Sequence, residues 1–154
     1  CLVGKAELMK SVRWNETLKA AVDILHNLEL CSKNIGIAHV PDYHAIYWAH
    51  NDNLTNSGGQ HSAERMERVQ SSFALYWNLV LEHFSLTPRQ TDFVKTRLAS
   101  CYAWHIGYYV YEQQRKYKDA MHYYRKAIQT KPTVMKFYYA WCKAFVRSII
   151  FRNR

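Results

Sequence analysis

The sequence predicts a mainly helical protein, α+β only through one short hairpin. Three observations carry that expectation. From residue 62 onward apolar residues return every three or four positions, the period of an amphipathic helix. Residues 35–48 instead hold two short alternating stretches about Pro41-Asp42. Gly (5) and Pro (3) are scarce while Tyr (12) and Trp (5) are abundant, which favours aromatic-packed helices over a turn-rich β-sandwich. At 49% apolar, the 154 residues suffice for one good core or two small modules.

In order, residues 2–4 read as a strand end. Residues 6–12 read as a short helix with Leu8, Met9 and Val12 on one side. Asn15 is placed to cap the next helix, because a short side-chain oxygen satisfies free N–H groups at a helix start. Residues 23–31 carry Ile24, Leu25, Leu28 and Cys31 as an apolar stripe. Strands are expected at 35–40 and 43–48, with His50 sharing a face with Trp48 and Ile46. Residues 51–61 are a loop by composition and mark a boundary at Gly58-Gly59. Ser62 caps a helix to about residue 84, with Met66, Val69, Phe73, Tyr76, Trp77 and Val80 inward and Glu64, Arg65, Glu67 and Arg68 solvated. Thr87-Pro88 opens another helix, which runs to about residue 114, since proline fits a first helical position. A last helix at 135–151 has Met135, Tyr138, Tyr139, Cys142, Phe145, Val146 and Ile149 as its stripe, expected to face the core.

Net charge is +9, and residues 115–154 hold eleven cations against Asp119 alone, so the positive charge is concentrated there. Such a field suits an anionic partner, and an anionic membrane face is the expectation. Nucleic acid is set aside because the aromatics between the cations fall at core-helix spacing. The four cysteines are far apart without a C-x-x-C, so they are read as reduced thiols. No run of 18 apolar residues is present.

Val22-Asp23, Val40-Pro41 and Tyr47-Trp48-Ala49-His50 stand in the order found in the C-terminal part of the catalytic domain of family 2, GT-A fold glycosyltransferases, and residues 1–57 resemble that part. The resemblance implies a GT-A α/β remnant, the acceptor side of an inverting transferase. Asp23 would be the base that takes the proton of an attacking sugar hydroxyl. His50 would bind a divalent metal (Mn or Mg) or the departing diphosphate, with His61 as a weaker contact in the same pocket. Val22 departs from the pattern, which often has an acid there. The donor-binding half, with its Asp-x-Asp, is missing from this sequence, so the piece is expected to be inactive alone. A nucleotide sugar as donor, a glycan or lipid-linked acceptor, and a cytoplasmic or peripheral inner-membrane location follow from the resemblance.

Residues 58–154 carry a second resemblance. Trp104, Tyr111, Ala120, Tyr124, Ala127 and Pro132 fall at tetratricopeptide-repeat offsets, with Gly107 and Tyr108 where Leu and Gly would stand. It implies a helical bundle with Ala120 and Ala127 at a close helix crossing. A protein-interaction scaffold, with its concave face lined by exposed residues of the 101–111 helix, is therefore the competing function; a homo-oligomer through the helical extension is a separate partner expectation.

Overall fold

The computed structural model describes residues 5–33, 35 and 63–151. The expected strands at 2–4, 35–40 and 43–48, the 51–61 loop and the Ser62 cap fall outside or almost wholly outside them. The described residues are mainly helical and contain no strand. The chain divides into two compact units, Cys1–Gln60 and His61–Arg154. Among the described residues no helix is long and apolar enough to cross a membrane.

The first unit contributes helix α1, Ala6–Lys10, and helix α2, Val22–Ser32. Asn15 does not cap α2. Its side-chain oxygen accepts from the N–H of Thr17 (3.0 Å) and of Leu18 (3.3 Å), closing a local turn instead. Ala21, at φ 63°, then redirects the chain into α2. The buried face of α2 is Leu25, His26 and Leu30, while Ile24 and Cys31 point outward. The buried edge is thus rotated from the expected stripe toward His26, on whose ring Trp14 stacks (ring centroids 4.2 Å apart).

The second unit begins with helix α3, Ala63–His83, which buries Val69, Ala74, Tyr76 and Val80. Helix α4, Pro88–Ser100, starts on a capping box. Thr87 Oγ1 accepts from the Gln90 N–H, and Gln90 Oε1 accepts from the Thr87 N–H at 2.9 Å. The chain continues without a break into Cys101–Glu112, which is wound as a π-helix. Helix α5, Tyr117–Thr130, and helix α6, Met135–Ile150, complete the unit.

The π winding decides what faces inward. An i→i+5 ladder is wider than the α-helical one, and runs this long are rare. The buried residues fall into two columns with steps of four and five: Cys101, Ile106, Val110 and Ala103, Gly107, Glu112. At the α-helical 3.6 residues per turn, Glu112 would lie on the opposite side from Ala103. The wider turn brings it to the same inner face.

Against that face lies a core of alanines and two large rings: Ala99, Ala103, Ala120, Tyr124, Ala127, Phe137, Ala140 and Ala144. Small residues let the helices approach closely, and Tyr124, completely buried, fills the remaining space. A Cβ added at Gly107 would sit 3.1 Å from both the Tyr102 carbonyl oxygen and Cε1 of Tyr124. Tyr124 is held at its hydroxyl by Glu112 and cannot swing aside. Gly107→Ala should therefore lose about 1 kcal/mol net, the overpacking outweighing the helix propensity gained. Denaturant unfolding checks this; equal or higher stability would show that the ring relaxes.

One expectation for α6 is corrected. Its inward residues are Phe137, Ala140 and Ala144. The stripe Met135, Tyr138, Tyr139, Cys142, Phe145, Val146 and Ile149 faces outward instead. The physical reason is the close approach of α5, which accepts alanine but leaves no room for a row of large side chains.

Candidate functional site

Of the residues expected to form a transferase site, Asp23 is described, and it is exposed in the first turn of α2. His50 and His61 lie outside the described residues. Among the described residues no three His, Cys, Asp or Glu side chains gather as a metal site.

Among the described residues of the first unit, one polar side chain is unusual. His26 is buried, and neither ring nitrogen has a hydrogen-bond partner among protein atoms. Beside it is a cleft of about 450 Å³ lined by Lys10, Arg13, Trp14 and Glu16, among others. Unsatisfied buried polar atoms cost about 1–3 kcal/mol, whereas an apolar ring of similar shape costs nothing of the kind. His26→Phe should keep the stack on Trp14 and raise stability by about 1 kcal/mol. Thermal unfolding tests it, and a marked loss would mean that the imidazole nitrogens have partners in solution.

The second unit holds a buried ionic cluster that no sequence motif announces. The Glu112 side chain, 1% exposed, receives the Tyr124 hydroxyl on Oε2. On Oε1 it receives Arg147 Nη1 at 2.7 Å and Lys143 Nζ at 3.0 Å. Lys143 also lies over the Tyr108 ring, 5.4 Å from its centroid. Helical period places Lys143 and Arg147 on a solvated face of α6; they are instead turned toward this carboxylate. Burial, then the hydrogen bond to Glu112, pushes the Tyr124 hydroxyl well above the ordinary tyrosine value.

A second tyrosine cluster ties α3 to the π-helix and α5. The Tyr111 hydroxyl donates to Glu67, which is half-buried rather than solvated. Tyr111 stacks on Tyr123 (5.3 Å), and Lys126 lies over the Tyr123 and Tyr102 rings. Tyr102 accepts from Asn78 Nδ2 at 3.1 Å. Both clusters are satisfied internally, which marks them as structural cement rather than reactive groups. Cys101, whose thiol is pushed up to about 12 by burial, is equally inert, while Cys31 and Cys142 are exposed free thiols.

Among the described residues, two open surfaces stand out. A cleft of about 510 Å³ at the start of α5 is lined by Arg115, Lys116, Tyr117, Lys118, Asp119 and Phe151, with Tyr117 stacked on Phe151. The outer face of α6 is the larger feature: Met135 is 74% exposed, Tyr139 72% and Ile149 56%. A row of apolar side chains this long on one helix can bind another apolar surface. Periodicity finds these residues, but does not say which of the two α6 faces is turned in. Compared with known proteins, the chain matches no family model, no curated protein and no solved structure.

Proposed function

We propose that the unit His61–Arg154 is a protein-docking module built on tetratricopeptide-like helix pairs. The observation that carries this reading is the outward apolar face of α6. Further support comes from the tetratricopeptide offsets: Ala120, Tyr124 and Ala127 are completely buried where α5 packs on its neighbours. Trp104 packs tilted against Phe137 at 5.7 Å, as a repeat needs when its first helix must also meet the first helix of its successor.

The test is a photo-crosslinking residue, p-benzoylphenylalanine, in place of Tyr139 in cells that make the chain, with the exposed Gln129 on α5 as the control position. A polypeptide captured from position 139 and not from 129 supports docking through α6. Equal capture from both, or none, rejects it.

A second reading retains residues 1–57 as the acceptor side of a GT-A glycosyltransferase with Asp23 as base. The exposure of the Asp23 carboxylate on α2 favours it, since a base must reach a substrate hydroxyl. His50, a divalent metal and a nucleotide sugar would belong to that reading, together with a donor-binding half supplied by further sequence. In an enzyme containing this chain, Asp23→Asn should abolish sugar transfer and leave donor binding intact; unchanged turnover rejects the base.

A further inference from the structure

The outward stripe of α6 has a finer pattern than amphipathicity alone. Met135, Tyr138, Cys142, Phe145 and Ile149 are separated by three, four, three and four residues. Those are the a and d positions of two successive heptads. Tyr139 and Val146 occupy e; Val134, Trp141 and Ser148 occupy g. None of these positions is charged. The cations of α6 fall elsewhere: Lys136 and Lys143 at b, Arg147 at f.

We infer that the outer face of α6 pairs with the same face of a second copy of this chain, the two helices running antiparallel about a two-fold axis at Cys142. The inference rests on the docking-module reading and names its partner. About Cys142 the stripe is symmetric to within one residue: Met135 and Ile149 lie seven positions away on either side, Tyr138 four before and Phe145 three after. Met135 of one copy meets Ile149 of the other, Tyr138 meets Phe145, and Cys142 meets Cys142. A two-fold interface needs such self-complementarity.

Charge makes a second copy admissible. At +9 the chain should repel itself, so a self-interface must keep cations from facing one another. The a, d, e and g positions meet that condition. Lys143 and Arg147 are directed to Glu112. The same fact weighs against a bilayer, where a helix lying in the interface needs its cations free beside the apolar face.

The area is adequate as well. Tyr138, Tyr139 and Phe145 are 36, 72 and 45% exposed, which leaves roughly 300 Å² of aromatic surface open. Met135, Val146 and Ile149, each more than half exposed, add about as much. The sum approaches the about 800 Å² per partner of a standard interface.

The full chain should sediment at twice its 18.3 kDa mass at micromolar concentration. Tyr139→Glu and Val146→Glu, both at exposed positions, should keep the far-ultraviolet helix signal. Each should weaken the dimer on the order of 100-fold or more, since a two-fold interface carries the change twice. Geometry gives the sharper test. Helices pack 8–10 Å apart with Cα atoms about 2.3 Å from each axis, so directly facing Cα atoms come within about 3.5–5.5 Å, which overlaps the Cα span of a disulfide. With Cys1 and Cys31 replaced by Ser, diamide as the two-electron oxidant should give a covalent dimer through Cys142, and Tyr139→Glu should abolish it.

A dimer that forms without a Cys142 crosslink overturns this antiparallel register. A monomer overturns the pairing outright, as does a monomer that sediments only with phosphatidylglycerol vesicles. If the monomer still captures a different polypeptide from position 139, the docking-module reading stands and only its partner is changed. If it captures nothing, both readings fall.

Discussion

Glu112→Ala should cost about 2–4 kcal/mol of stability, a large effect for one exchange in a unit of this size. The carboxylate is the meeting point of the π-helix, α5 and α6. Its removal acts unequally on its three partners. Lys143 and Arg147 are 31 and 45% exposed, so their charged ends reach water and lose little. The Tyr124 hydroxyl has no such escape; completely buried, it keeps an unsatisfied donor, and an alanine-sized gap opens beside it. Glu112→Gln retains an acceptor for Tyr124 and should lose about half as much. Tyr124→Phe removes the donor itself. The double variant Glu112→Ala, Tyr124→Phe should therefore be less destabilised than the two single losses added together, as coupled neighbours are. Denaturant unfolding of the four proteins measures this; strict additivity would mean that the hydroxyl and the carboxylate do not depend on one another.

The same contact gives a pH dependence with a definite sign. Tyr124 is raised above the ordinary value in the folded protein, so the unfolded chain loses that proton first. The contribution is complete below about pH 10 and declines above it, by about 1.4 kcal/mol per pH unit for each tyrosine so held. Tyr111, raised by burial and by its bond to Glu67, acts in the same direction. Tyr124→Phe should flatten the alkaline decline relative to the parent and leave Tyr111's share in place.

The helices are legible wherever a local rule applies. Thr87-Pro88 with Gln90 announces α4, because capping is a contact among near neighbours. The 3.6 period announces α3 and α6. What period alone cannot supply is the choice between two faces of one helix. In α6 the aromatic stripe and the alanine stripe both recur at helical spacing, and only the surface of α5 decides between them. Glu112 is hidden for a different reason. Counting by 3.6 from Ala103 places it toward solvent, and the π winding that turns it inward has no signature in composition. Its cationic partners sit 31 and 35 residues later, beyond the reach of any local motif. His26 belongs to no motif of spacing; what makes it unusual is burial without a hydrogen-bond partner for either ring nitrogen, which no local rule announces. The Asp23–His50 pairing depends on residue 50, which lies outside the described residues.

Ala144→Leu should cost about 3 kcal/mol or more, and the reason lies in the alanine seam. Ala144 is completely buried, with Ala120, Tyr124 and Ala127 of α5 and Ala140 and Phe137 of α6 in the same cluster. Three extra carbons have no cavity to enter. The large rings cannot yield, since Tyr124 is pinned at Glu112 and Phe137 packs on Trp104. The helices must separate, and separation also draws Lys143 and Arg147 away from the carboxylate they share. Steric and ionic losses thus fall together, beyond the usual cost of an overpacked site. Ala144→Gly is the control: it keeps the close approach and loses only about 1 kcal/mol of helix propensity. A leucine variant no less stable than the glycine one, by denaturant unfolding, would mean that α5 and α6 are not held at alanine distance. Because the substitution lies on the inner face, it should also separate stability from association. Far below its unfolding midpoint, the leucine variant should still pair through Tyr139 and Val146, whereas Tyr139→Glu stays folded and single.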